Sequence, residues 1–176
     1  MEIILRQEQE ADHAAVSEVI AAAFQQEDYS DHQEQVLVTR LRQSEAFIPE
    51  LALVAENNQG IIGYILLTRI KIINEHRSFD SLAMAPVAVK PEYQKQGIGG
   101  RLILKSHQLA KDLGFNSVVV LGHDQYYPRF GYERSDKYGI ELPFDVPPEN
   151  CMVIPLTEGG LTGISGHVQY PKEFYE

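Results

Sequence analysis

Basic residues are scarce in this 176-residue chain: 15 Lys and Arg stand against 25 Asp and Glu, a formal net charge of -10. A phosphate backbone or an anionic membrane surface needs basic patches, so no nucleic acid and no membrane partner is expected. The same acidic field favours cationic substrates. There is one cysteine, Cys151, so no intrachain disulfide can form. An apolar run follows it, and it reads as a small buried residue rather than a nucleophile. No stretch approaches the roughly 18 apolar residues of a membrane span. The opening "MEIILRQEQEADHAAV" has a short apolar run and no basic lead-in, so no secretory leader is expected and the chain reads as cytoplasmic. Internal repeats and low-complexity linkers are absent, and a single domain over 1–176 is the expectation. The histidines lack metal-ligand spacing, so no metal is expected.

What is present reads as alternating elements. "EIILR" is a short strand. Asp12 is placed to cap a helix carrying Ala15, Val16, Val19, Ile20 and Phe24 on one face, and Asp31 to cap a second with Val36, Leu37 and Leu41. Residues 51–73 read as two strands joined by a turn at Asn57 to Gly60. "FDSLAMAPVAV" is a strand in which Pro86 cannot donate to a ladder, so a bulge or a free edge is expected there. A helix follows with Ile98, Leu102, Leu109 and Leu113 on one face, ended by Gly114. "NSVVVLG" is a buried strand, which makes 81–121 a βαβ-like unit. "YYPRFGY" reads as one helical turn entering a short strand, 133–150 as loop, and "CMVIPL" and "SGHVQY" as late strands. The order is mixed α/β, with a central sheet and helices on both sides.

The chemistry concentrates in "VAVKPEYQKQGIGGRLI", residues 87–103, where Gly97, Gly99 and Gly100 strip side chains from the start of a helix. A helix N-terminus presents orphan N–H groups and the positive end of its dipole. A diphosphate reaches those amides only where side chains are missing. Gln94 to Gln96 supply further amides, and Lys95 and Arg101 add positive charge. Glycines also serve tight turns and close packing with no ligand at all. The Walker pattern is absent, and the dinucleotide fingerprint fails because Leu102 stands at its third glycine.

This stretch resembles the acetyl-CoA-binding motif of the GCN5-related N-acetyltransferase (GNAT) superfamily, V-x-P-x-x-[QR]-x-x-G-x-[GA]. Val89, Pro91, Gln94, Gly97 and Gly99 stand in register. "YYPRFGY" is similar to the family's [FY]-Y-x-x-x-G-[FY] segment, with Tyr126, Tyr127, Gly131 and Tyr132 in register. The resemblance covers about 1–135. It implies a mostly antiparallel central sheet flanked by helices, with a strand splayed at a bulge near Pro86. It also implies an acyltransferase transferring groups other than aminoacyl groups. Acetyl-CoA would be its co-substrate and a small-molecule or peptide amine its acceptor. Residue by residue, it implies backbone contacts from Val87, Ala88 and Val89 to the pantetheine arm. Gln94, Lys95, Gln96, Gly97, Ile98, Gly99 and Gly100 would contact the diphosphate. Tyr127 would protonate the departing thiolate, with Tyr126 and Tyr132 as structural rings.

The general base is open. Many relatives carry a carboxylate where Ala83 stands, and Asp80, three residues earlier, alternates onto the opposite face. His123, just past the next strand, is the candidate side-chain base. A water chain, or an amine arriving neutral, would need none. Relatives often have an asparagine where Gly122 stands, so the turn before Tyr127 is expected to be shorter or to start differently. The acidic stretches "EQEAD" and "QQEDYSDHQEQ" read as solvated surface, and the second borders the acceptor pocket in this family. The alternative to an enzyme is a regulatory module that binds CoA or a nucleotide diphosphate without turnover. Acceptor identity and oligomeric state stay open.

Overall fold

The computed structural model describes residues 1–176. Its backbone divides into two compact units, 1–67 with 86–106 and 68–85 with 107–176. Each is organised around its own pairings and contacts.

The first unit opens with strand β1 (Ile4–Gln7), helices α1 (His13–Phe24) and α2 (Glu34–Leu41), and strand β2 (Ala52–Asn57). Strand β3 (Gly60–Ile73) begins here, β4 (Ser78–Val89) ends here, and α3 (Ile98–Asp112) starts here. β1 pairs antiparallel with β2, and β2 with β3. The hairpin turn at Asn57 forms as its chemistry dictates: the Asn57 Oδ1 accepts the Gln59 N–H at 2.9 Å, and Gly60 takes φ +123°. Asp12 sits at the start of α1 without capping it. Its carboxylate accepts the Gln9 N–H at 2.8 Å and two bonds from Arg6, whose guanidinium also reaches Glu56 at 2.9 Å. Those bonds hold the Asp12 carboxyl below its ordinary pKa. Asp31 likewise closes a turn onto the Gln33 N–H, the residue just before α2. The buried face of α1 is Val16, Val19 and Ile20; that of α2 is Val38 and Leu41, with Val36 and Leu37 only half-buried. Glu8 forms an almost fully buried ion pair with Arg42 and accepts the Tyr64 hydroxyl at 3.3 Å. This pair lines a small cavity of about 250 Å³.

The second unit contains the ends of β3 and α3, the start of β4, and strands β5 (Ser117–Leu121), β6 (Glu133–Arg134), β7 (Ile140–Glu141), β8 (Cys151–Pro155) and β9 (Gly166–Gln169). β4 pairs in parallel with β5 at Leu82 and Ala83, as a βαβ crossover requires. β5 then pairs antiparallel with β8, β8 with β6, and β3 with β9, while β7 joins β9 in parallel. The residues expected to be loop, 133–150, therefore contribute two short strands, whose partners lie further along the chain. A core of Ile70, Ile72, Ala83, Val119, Val153 and Val168 is covered by Phe144, Tyr170 and Phe174 of the C-terminal segment. Antiparallel pairing dominates the sheet, and the class is mixed α/β.

Helix α3 ends as expected. Gly114 takes φ +93°, its N–H bonds to the Lys111 carbonyl, and the Phe115 N–H bonds to the Ala110 carbonyl, which is the Schellman pair. Its apolar face is rotated from the expected one. Ile98, Leu102, Ile103, Ser106 and Ala110 are buried, Leu109 is half-buried and Leu113 is exposed. Ser106 is accommodated by donating its hydroxyl to the Ile103 carbonyl at 2.8 Å.

Candidate active site

In the first unit the end of β4 turns into α3 through the glycine-rich loop. Ala88 is buried, while Val87 and Val89 are half-buried, so Ala88 rather than the valines supplies the core contact. The Lys90 N–H bonds to the Ile62 carbonyl at 2.9 Å, which fixes the strand end. A single 3-10 turn, Pro91–Tyr93, follows. Gln94 then folds its side chain back, and Nε2 donates to the Val89 carbonyl at 2.9 Å. Gln94 thus ties the loop to the strand, and one lone pair of the Val89 carbonyl is already taken. Gln94, Lys95, Gln96 and Gly97 are exposed. Lys95 is held at φ +64°, unusual outside glycine, and Gly97 at φ +82°.

Gly97 is needed for its backbone conformation. Nothing lies within 4 Å of where its Cβ would be, so crowding is not the reason. Gly99 and Gly100 differ: they lie in the first turn of α3, outside the left-handed region, and are half-exposed. Glycine in a helix costs roughly 1 kcal/mol relative to alanine, and no turn here requires it. The first helical bond runs from the Arg101 N–H to the Gly97 carbonyl at 3.0 Å. Helix geometry therefore leaves the N–H groups of Ile98, Gly99 and Gly100 without intrahelical acceptors. Ile98 is buried as a residue, 2 % exposed, and its side chain belongs to the core. Arg101 directs its guanidinium to the Ile3 carbonyl at 3.4 Å. Unpaired amides at a helix start, with Gly99 and Gly100 half-exposed and the exposed Lys95 three to five residues earlier, are the kind of group that suits a diphosphate.

In the second unit the segment after β5 forms a 3-10 turn, Tyr127–Phe130, rather than an α-helix. The His123 carbonyl starts it, accepting the N–H groups of Tyr126 at 3.1 Å and Tyr127 at 3.4 Å. Gly131 closes it at φ +101°. The rings pack edge to face: Tyr126 and Tyr127 at 5.1 Å between centroids, Tyr127 and Tyr132 at 5.8 Å. Arg129 lies over Tyr126 at 4.5 Å. Tyr132 is buried, and its hydroxyl lies 2.8 Å from His107 Nε2. Burial lowers His107 to about 4, so that ring is neutral near pH 7. Tyr127 is half-buried as a residue, and the desolvation of its hydroxyl, with a smaller contribution from Tyr126, pushes its pKa well up. It stays a protonated donor throughout the neutral range.

The candidate bases differ sharply in their surroundings. Ala83 is 2 % exposed among apolar side chains, a poor setting for the carboxylate common in the family. Asp80 is exposed and paired with Lys71 at 2.7 Å. The His123 side chain is exposed, and its backbone carbonyl anchors the turn. Sequence reasoning missed Asn150 and His107 as neighbours of the tyrosine segment, because their contacts are long-range; it singled out Gly122 but not the close approach of the Tyr127 ring to it. The larger surface cavity, about 560 Å³, is lined by Ile73, Asn74, Glu75, His167, Val168 and Tyr175 among others and contains none of the residues singled out by sequence.

Comparison with known proteins bears on both segments. A family model described as an acetyltransferase (GNAT) domain matches residues 49–134, which includes the loop and the tyrosine turn. The uncharacterized N-acetyltransferase YjhQ of Escherichia coli (strain K12) is 39 % identical over 138 residues, 76 % of this chain and 75 % of that protein. The crystal structure of the GNAT family N-acetyltransferase YhbS from Escherichia coli in complex with CoA superposes with TM-score 0.86 at 26 % identity, covering all of this chain and 93 % of that one. A GNAT family acetyltransferase from Brucella melitensis, in complex with acetyl-CoA, gives TM-score 0.79 at 27 % identity over 98 % of both chains. With the glycine loop, the tyrosine turn and the strand order all in place, this chain belongs to the GNAT family of N-acetyltransferases.

Proposed function

We propose that the chain transfers an acetyl group from acetyl-CoA to a primary amine by direct attack in a ternary complex. One observation carries the reading. Gly99 and Gly100 are helical, half-exposed and free of any backbone need for glycine, so what they provide is clearance over the first amides of α3. That structural relatives are bound to CoA and acetyl-CoA supports CoA as the diphosphate bound there.

In this reading the amides of residues 94–100 bind the diphosphate, and backbone groups of Val87 to Val89 bind the pantetheine arm. The amine lone pair attacks the thioester carbonyl; the C–N bond forms and the C–S bond breaks. Tyr127 donates its proton to the departing thiolate, and the proton lost by the amine goes to water. Tyrosine recovers its proton from solvent. A high tyrosine pKa keeps the donor loaded, and general acid help is typically worth about 10²–10⁴-fold. The buried alanine at 83 leaves no carboxylate base there, which supports an amine that arrives neutral or sheds its proton to water. The net negative charge favours a cationic acceptor.

The same alanine favours the second reading, a CoA-binding module without turnover. Thiol release from acetyl-CoA with a panel of primary amines separates the two. We expect at least one amine to raise release above hydrolysis, and acetyl-CoA to resist displacement by ATP. Binding without release for every amine would support the module.

A further inference from the structure

We infer that Gly122 is a positioning residue: it makes the seat in which the Tyr127 ring lies, and Asn150 holds that seat in place. The inference rests on Tyr127 being the proton donor, and its test separates the two. Gly122 is outside the left-handed region, so any L residue could adopt its backbone. Space is what forbids a side chain. A Cβ at Gly122 would lie 2.3 Å from Tyr127 Cε2, closer than real contacts allow, and a tight 3.1 Å from Cδ2. The ring occupies the volume that a side chain at 122 would fill.

Such a conflict could be relieved by the backbone or by the ring. The backbone of Gly122 is fixed on both sides. Its N–H donates to the Asn150 carbonyl at 2.9 Å, and its carbonyl accepts Asn150 Nδ2 at 2.8 Å. These bonds extend the β5–β8 register one step past Leu121 and Cys151. The ring must therefore give. Its own backbone is tied two ways, by the His123 carbonyl at the start of the turn and by Pro128 at the next position. Rotation about the Tyr127 side-chain bonds is the remaining freedom, and it swings the hydroxyl. Tyr126 and Tyr132 pack edge-on against the ring, at 83° and 72°, and limit where it can go. A donor displaced by about 1 Å can lose on the order of 10² in rate.

The test uses full-length protein labelled with 3-fluorotyrosine. Tyr127→Phe identifies the Tyr127 fluorine signal among the nine tyrosines. Gly122→Ala should shift that signal. It should also lower kcat, measured as thiol release with the best amine of the panel, by roughly 10- to 100-fold. Acetyl-CoA affinity should stay unchanged. In the Tyr127→Phe background, which has no hydroxyl to misplace, Gly122→Ala should add less than about twofold, since residues acting as a unit are non-additive. Asn150→Ala, which frees one side of the seat, should shift the same signal less. An unmoved Tyr127 signal in folded Gly122→Ala overturns the inference, as does a full additional loss in the double variant. Should Gly122→Ala not fold, an unmoved signal in Asn150→Ala overturns it instead. Normal turnover by Tyr127→Phe would refute the donor role alone, since the fluorine shift reads the seat independently.

Discussion

Gly99 and Gly122 both lack a backbone reason to be glycine, yet their empty side-chain positions are used in opposite ways. At Gly99, in the first turn of α3, the position is half-exposed and carries no side chain. At Gly122, past the end of β5, the protein fills the vacated space with its own Tyr127 ring. In the proposed mechanism, one glycine would clear room for a substrate and the other for a reactive group. A glycine count says nothing about this difference. Backbone conformation separates glycines needed for a turn, such as Gly97 and Gly131, from those needed for space. Only the neighbours then say who takes the space.

The largest effect expected from this contrast is at Gly99. Gly99→Glu should cut acetyl-CoA affinity by more than about 100-fold, because a carboxylate would occupy the anion position. The fold should survive, since glutamate is favoured in a first helical turn and replaces a poor helix former. Calorimetry with acetyl-CoA, beside a thermal melt, reads both. Unchanged affinity in a folded variant would move the diphosphate away from this loop.

A smaller effect is expected at His123, whose backbone anchors the tyrosine turn while its ring is exposed. His123→Ala should change the rate by less than about tenfold, below usual general-base losses. With two acceptors of different amine pKa, the rising limb of kcat/KM should move with the acceptor. A limb fixed near neutral pH and abolished in His123→Ala would make His123 the base.

The smallest effect is on stability. Burial lowers His107 to about 4, whereas in the unfolded chain it titrates near 6.5. Between those values the unfolded state binds the extra proton, so this contribution is intact above about pH 6.5 and fades as pH falls toward 4. Asp12 is shifted down by Arg6, and its contribution fades at still lower pH, below the ordinary aspartate value. Denaturant midpoints should therefore decline between pH 6.5 and 4, and His107→Gln should flatten that decline. An identical slope in the variant would remove His107 as its cause.

Much of the cradle was legible in sequence because its causes are local. Helical spacing, the hairpin at Asn57, the C′ glycine at 114 and the glycines before α3 act within a few residues of themselves. The two segments of family resemblance were visible for the same reason. What stayed hidden depends on distant partners. Asn150 reaches Gly122 across 28 residues, and His107 reaches Tyr132 across 25. Glu8, Arg42 and Tyr64 form a buried cluster that hydrophobic periodicity cannot reveal. The strands at 133–134 and 140–141 exist only because β8 and β9 pair with them. The rotated face of α3 depends on Ser106, a polar residue that satisfies itself and so can be buried.

The division of labour between loop and turn is tested most directly by turnover of Tyr127→Phe beside Tyr126→Phe, with acetyl-CoA affinity measured on the same samples. In the proposed mechanism the phenol of Tyr127 acts in the transition state and not in binding. Tyr127→Phe should thus lose on the order of 10² in kcat at unchanged affinity, while Tyr126→Phe stays near the parent rate. Full turnover in Tyr127→Phe, or a loss confined to Tyr126→Phe, would contradict the assignment of Tyr127 as the proton donor.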